Sequence, residues 1–310
     1  MPKLDLVIPV YNEQEGIRTF HESLVAVKLP EGFSRRYIYV DDGSTDETAT
    51  LLEQMALADP QISVIRLSRN FGHQAALTAG LDAAEGDVIV TMDGDGQHPA
   101  SLIPEMMKLH TAGYDVVQAQ RIDAAETGSL FKRSTSRFFY RMLSAIGEVQ
   151  LDEGVSDFRL VSRRALEALR LLPEYHRFLR GMAVWVGFPS VLLPYHPASR
   201  VAGTPKYSLT KMFRLAGDGL FSFSLFPLRI ALILGGAFIV LAVFEMGYIA
   251  SFLVEGRRSD LVPGWASIIL IMTVGTAVNL FILGILGVYI GMIFREVKKR
   301  PIYIVRSRVR

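Results

Sequence analysis

Two aspartates one residue apart, Asp93 and Asp95 in DGDGQHP, follow the β-branched run DVIVTMD. An Asp-x-Asp at a strand end projects two carboxylates from a tight turn, which can hold a hard divalent cation while leaving other coordination positions to substrate phosphates. Such a cation would offset charge building on a leaving diphosphate. Taken alone, the pattern also fits a solvated acidic turn. A second polar turn, DDGSTD at 41–46, ends another strand-like run. There Asp41 or Asp42 can accept hydrogen bonds from a base or ribose, whereas Ser44 and Thr45 read as turn and helix-capping residues. The first strand-like run ends in VIPVYNE, where backbone groups and Glu13 could cradle a nucleoside. Three such turns on successive strand ends are far more specific than any one.

The elements that must position these turns alternate regularly. Strand patterns at 4–10, 35–44, 62–67, 87–93 and 115–120 are separated by helical patterns at 13–27, 45–57, 73–84 and after Pro99. This predicts an α/β, mainly parallel, Rossmann-like sheet covered by helices on both faces, with its ligand crevice at the carboxyl ends of the strands. Beyond Arg121 the order becomes a loop, a basic helix at 130–146, a SDFRL segment, another helix and a Pro/Gly-rich loop at 194–205. A loop at 197–210, with Gly203 as hinge, is read as able to close over a donor and exclude water. His73 and His98 read as hydrogen-bonding surface residues rather than metal ligands, and Trp185 as core.

Composition adds a membrane. Half of the residues are hydrophobic, 50%, and the excess collects in two apolar spans at 228–254 and 265–294, each longer than the roughly 20 residues that cross a hydrocarbon core. The bases at 295–310 outnumber those of the short connecting loop, so the positive-inside bias places the C-terminus and the N-terminal domain together in the cytoplasm. Residues 206–227 alternate bases with Phe and Leu and suit a juxtamembrane amphipathic helix. Glu245 inside the first span is either functional or hydrated near the far interface. Gly287 and Gly291 permit close helix packing, hence a homo-oligomer through the membrane helices. A net charge of +2 gives no general polyanion surface and no reason to expect nucleic acid, and the absence of cysteine excludes disulfides and thiolate chemistry. The N-terminus lacks the apolar core of a signal peptide.

VIPVYNE, DDGSTD, SRNFGHQAALTAGLDAA, MDGDGQHP and SDFRL together resemble the family-two inverting glycosyltransferases, and within them the polyprenyl-phosphate glycosyltransferases. The resemblance covers essentially the whole chain. It implies a GT-A catalytic domain at 1–205, juxtamembrane helices at 206–227, a two-helix transmembrane hairpin at 228–294 and a basic cytoplasmic tail at 295–310, in the inner (cytoplasmic) membrane. It further implies Mg or Mn, a nucleotide-sugar donor and a polyprenyl-phosphate acceptor, with a lipid-sugar flippase as a further partner. Carried over by position, Pro9, Tyr11, Glu13 and Asp42 would contact the nucleoside; Asp93, Asp95 and Gln97 would hold the metal; Arg121, Arg200 and Lys206 would meet phosphates; and Asp157 would sit at the reacting centre with Asp95. The donor implied first is UDP-glucose, with UDP-N-acetylglucosamine, UDP-galactose, a modified UDP-pentose and GDP-mannose left open.

Chemistry qualifies the role of Asp157. A hydroxyl acceptor needs a general base, but a phosphate monoester has a second pKa of about 6 and is largely dianionic at neutral pH. The harder task is to bring two anions together, which calls for cations. Arg121, Arg133, Arg137, Arg200 and Lys206 are the candidates, although Arg133 and Arg137 fit a solvated helix face equally well. Asp157 would then orient the acceptor or stabilise positive charge at the sugar carbon. Two rivals remain: a non-catalytic nucleotide- or lipid-binding membrane scaffold, which predicts decay of these residues, and a processive synthase, which calls for more spans and a QxxRW-like motif.

Overall fold

The computed structural model describes residues 1–122, 154–175, 177–196 and 264–309, together with individual positions between 228 and 254. The chain divides into one unit formed by Met1–Gly219 with Arg300–Arg310, and a second formed by Leu220–Lys299.

The first unit begins with the expected alternation: β1 (Lys3–Val10), α1 (Ile17–Val25), β2 (Ser34–Asp41), α2 (Thr48–Ala58), β3 (Ile62–Leu67), α3 (His73–Ala83), β4 (Val88–Thr91), a 3-10 turn (Ala100–Leu102), α4 (Ile103–Thr111) and β5 (Val116–Arg121). It continues through β6 (Val155–Ser162), α5 (Arg163–Arg170), α6 (Leu179–Trp185) and β7 (Ser190–Tyr195). Helices on both faces bury β1 from Leu4 to Val10, which is why its sequence reads as one apolar run rather than an alternating strand. Leu4, Leu6, Ile8 and Val10 share one face and pack into the main core with Phe20, Tyr39, Val90 and Phe158. On the opposite face α3 lies so close that a Cβ at Gly80 would stand 2.3 Å from Val7 Cγ1.

The sheet is mixed rather than mainly parallel. Its order is β7-β5-β6-β4-β1-β2-β3-β8. β1 pairs in parallel with β2 and β4, β2 with β3, and β5 with β7. β6 runs antiparallel between β4 and β5, so SDFRL is delivered beside the Asp93 turn. The basic segment expected as a tail is also structured: β8 (Val305–Val309) pairs antiparallel with β3. Ser68 N donates to Ile304 O at 2.8 Å and Tyr303 Oη to Asp82 Oδ2 at 3.0 Å, while Val309 packs against the core.

One buried carboxylate locks the base of the sheet. Asp5, 1% exposed, accepts from Arg36 Nε at 3.1 Å and Nη2 at 2.6 Å and from the Glu85 and Gly86 amides at 2.7 and 2.8 Å. Asp5→Ala strands all of these donors and is expected to cost about 3 kcal/mol. This should appear as a lower denaturation midpoint of the detergent-solubilised protein, and an unchanged midpoint would show that water replaces the carboxylate without loss.

In the second unit, helix α7 (Trp265–Val297) has 33 residues. Its stretch Val274–Val297 has a mean hydropathy of 2.3 and is long and apolar enough to cross a membrane, the one such helix among the described residues. Only 6% of that stretch is buried, unlike the core helix of a soluble protein. The expected first span at 228–254 is described only at scattered positions, each of them helical. Glu245 and the amphipathic segment 206–227 lie outside the described residues.

Candidate active site

The carboxyl ends of β1, β2 and β4 converge as expected, and hydrogen bonds fix which aspartate faces where. Asp41, fully buried, turns inward: its Oδ1 accepts from Ser44 N at 3.0 Å and its Oδ2 lies 3.5 Å from Arg66 Nε. Asp42 faces the crevice, and its two oxygens accept from the Phe71 and Gly72 amides at 2.8 and 3.0 Å, tying the β2 turn to the loop before α3. That approach requires glycine at 43, where φ is +68° and a Cβ would meet the Arg69 carbonyl carbon at 2.4 Å. Ser44 and Thr45 do not cap α2. Ser44 Oγ accepts from Asn12 N at 3.0 Å, and Thr45 N donates to Asn12 Oδ1 at 2.9 Å, fastening the VIPVYNE turn instead.

After β4 the chain makes the DGDGQHP turn. Asp95 Oδ1 accepts from Gln97 N at 3.0 Å, and Asp93 N donates to His98 Nδ1 at 3.0 Å. That bond requires a bare Nδ1, consistent with burial lowering the pKa of His98, whose ring stacks on Phe158 at 5.0 Å. Contrary to expectation, His98 is buried. Gly94 lets the turn sit against β1, since a Cβ there would stand 2.6 Å from Val10 Cγ1. Asp93 Oδ1 is buried and accepts no hydrogen bond among the described residues, its neighbour being His73 Nε2 at 3.4 Å.

Asp157, 2% exposed, lies beside this turn on β6. Its Oδ1 accepts from Arg159 Nη2 at 2.8 Å; its Oδ2 accepts from Arg180 Nη2 at 2.9 Å and Gln74 Nε2 at 3.1 Å, with His73 Nε2 at 3.4 Å. Burial alone would raise its pKa, but Arg180, His73 and Arg159 together hold it well below the usual carboxylate range. His73 answers in the opposite sense: burial opposes its charge, yet the bond to Asp157 and the Asp93 carboxylate raise its pKa to about 9. Burial lowers the pKa of Arg159 to about 10, where it remains charged at neutral pH. Gln74 also accepts from Leu179 N at 3.2 Å, joining the start of α3 to the start of α6.

A cleft of about 540 Å³ is lined by Pro9, Tyr11, Glu13, Asp42, Asp93, Asp95 and Asp157, seven of the residues expected from sequence. Gln97 and Arg121 are not among the lining residues, and Arg121 is exposed at the end of β5. Arg133, Arg137, Arg200 and Lys206 lie outside the described residues. His73 is exposed, as expected, and its Nε2 lies 3.4 Å from both Asp93 and Asp157, whereas Trp185, expected in the core, is 54% exposed. Sequence reasoning missed Arg159, Gln74 and Arg180. The first had a signal, since Asp157 and Arg159 are two apart on a strand and so share a face. So did Arg180, a cation at the start of a helix, where the macrodipole disfavours positive charge unless a carboxylate offsets it.

Among the described residues no group of three or more His, Cys, Asp or Glu side chains is arranged to hold a metal. Two oxygen donors, one of them the unbonded Asp93 Oδ1, nonetheless suit an ion that completes its shell with phosphate and water.

This chain belongs to glycosyl transferase family 2, whose model matches residues 5–170. It is a glycosyltransferase with a Rossmann-like GT-A catalytic domain. Over 305 residues it is 37% identical to the uncharacterized glycosyltransferase YkcC of Bacillus subtilis (strain 168), covering 97% of this chain and 93% of that protein. Over 307 residues it is 38% identical to the SfII prophage-derived bactoprenol glucosyl transferase of Shigella flexneri, covering 98% of each. The prophage bactoprenol glucosyl transferase homolog of Escherichia coli (strain K12) is 35% identical over 305 residues, covering 98% of each.

Proposed function

We propose that this protein transfers glucose, with inversion, from UDP-glucose to a polyprenyl phosphate at the cytoplasmic face of the inner membrane. The observation that carries the reading is the convergence of Asp93, Asp95 and Asp157 on one cleft with Pro9, Tyr11, Glu13 and Asp42. Relatives named as bactoprenol glucosyl transferases, matched over nearly their full length, support the sugar and the lipid acceptor.

The nucleoside would lie against Pro9, Tyr11 and Glu13, with Asp42 shaping the wall behind it. Asp93 and Asp95 would hold Mg or Mn, which when bound offsets charge on the departing diphosphate. Asp157 works as an anchor rather than a base. With two guanidiniums, an amide and an imidazole on its oxygens, it has little basicity left to take a proton. A phosphate acceptor does not need it to. The acceptor oxygen bonds to the anomeric carbon as the bond from that carbon to the diphosphate oxygen breaks, and the electron pair leaves on the nucleoside diphosphate.

Chain connectivity supports a two-span anchor. Met1–Gly219 and Arg300–Arg310 belong to one folded unit, which favours a reading in which both ends of the intervening segment are on one side of the membrane. If α7 crosses, the chain must cross once more between 220 and 264. The expected boundaries at 206, 228 and 295 stand as part of this proposal, with β8 returning to the catalytic sheet.

Purified protein incubated with undecaprenyl phosphate, Mn and a panel of sugar nucleotides should form a lipid-linked sugar with UDP-glucose, and chelation should stop it. A lipid product from a different donor would overturn the sugar assignment, and no lipid product from any donor would overturn the acceptor.

A further inference from the structure

We propose that Arg180 is the group that receives the phosphate of the acceptor. The inference rests on the reading above that the acceptor is a lipid monophosphate. Glu13, Asp42, Asp93, Asp95 and Asp157 give the described lining of the cleft five carboxylates, against which only His73 and Arg180 are cationic. Among the described lining residues, an incoming dianion therefore meets its own sign except at these two.

Geometry separates their tasks. Asp93 Oδ1, His73 Nε2, Asp157 Oδ2 and Arg180 Nη2 follow one another by contacts of 3.4, 3.4 and 2.9 Å, so Arg180 is the member of the chain furthest in contacts from the metal turn. The donor diphosphate belongs at Asp93 and Asp95. The far end is left for the second anion, with Asp157 between the two. The other arginine on Asp157 cannot serve, because Arg159 is 3% exposed and spends its Nη1 on Leu179 O at 2.7 Å and its Nη2 on Asp157. Arg180 has a side chain 26% exposed and lines the cleft. A guanidinium matches phosphate oxygens in shape and charge, and the bond to Asp157 holds Arg180 at the cleft. Gln74, bonded to both Asp157 and the Leu179 amide, is the positioning residue that sets the start of α6 and hence the aim of Arg180.

The test compares wild type, Arg180→Ala and Arg180→Lys in detergent, using a prenyl phosphate as acceptor, UDP-glucose as donor and Mn. Each variant is also titrated with UDP and melted. Arg180→Ala should lower kcat/KM for the prenyl phosphate by about 100-fold, mainly through KM, with UDP affinity kept within about threefold. Arg180→Lys should recover part of the loss, since a point charge replaces a fork. Should Arg180→Ala melt too low to assay, the same KM shift must appear in Arg180→Lys at reduced size. A folded Arg180→Ala with unchanged acceptor KM overturns the inference, as does one that loses UDP affinity in parallel. Glycerol 3-phosphate serving as well as the prenyl phosphate would overturn the lipid as its source. A wild type that binds UDP yet glycosylates no lipid phosphate overturns the acceptor reading itself, an outcome distinct from an unresponsive Arg180.

Discussion

Asp157→Asn is expected to lower kcat by at least about 1,000-fold while leaving UDP affinity within about threefold. The asparagine keeps the shape but removes the charge that holds Arg159, Arg180 and His73 around one point. Without it the two guanidiniums repel, Arg180 loses its aim and a buried cation is left uncompensated, so the variant should also melt at a lower temperature. The wild-type carboxylate titrates well below the usual range, so its stabilising contribution is present above the unfolded carboxylate pKa and is lost only as pH falls through the lower folded value. The acid limb of the rate profile should therefore belong to the acceptor phosphate, near its second pKa of about 6. Steady-state kinetics with UDP titrations would check both parts, and a variant keeping tens of per cent of wild-type turnover would refute the anchoring role.

Asp93→Ala and Asp95→Ala should abolish turnover in a different way. Each removes a carboxylate from the DGDGQHP turn and so one of the two groups proposed to hold a divalent ion, which when bound would offset charge on the donor diphosphate; losses of about 1,000-fold or more are expected. Unlike Asp157→Asn, both should also lose the enhancement of UDP binding by Mn, leaving weak affinity indifferent to chelator. Calorimetric titration of UDP with and without Mn separates the two patterns. Either variant retaining Mn-enhanced UDP binding would remove that aspartate from the metal site. Asp93→Ala also deprives His73 of one carboxylate, so His73 should become less basic in that variant but not in Asp95→Ala.

The parts of this arrangement legible in sequence are those written locally. Strands ending in polar turns announce themselves by β-branched runs and Gly or Asp punctuation, so β1, β2 and β4 and, on their turns, Glu13, Asp42, Asp93 and Asp95 are legible from the residues, whereas Pro9, Tyr11 and the place of Asp157 at the reacting centre come from the family resemblance. What escaped depends on strand order. Nothing local in SDFRL states that β6 runs antiparallel between β4 and β5, and that placement makes Asp157 a neighbour of Asp93. Gln74 and Arg180 escaped for the same reason: they meet Asp157 across sequence separations of 83 and 23. The basic C-terminal residues misled because charge is the stronger signal in RSRVR, while the alternation that makes it a strand is carried by Val305, Ser307 and Val309.

That closing strand bears on how the enzyme comes into being. Ribosomes deliver the N-terminus first, yet the outer edge of β3 is covered by residues 305–309, made long after β3 itself. Until β8 has been made, the nascent sheet carries an open edge able to pair with other chains. The apolar helix emerges from the ribosome before the strand that completes the sheet, so insertion into the bilayer can begin while the sheet is still unfinished. Maturation would then follow targeting, and a polypeptide stalled or clipped before β8 would be released with its sheet unsealed.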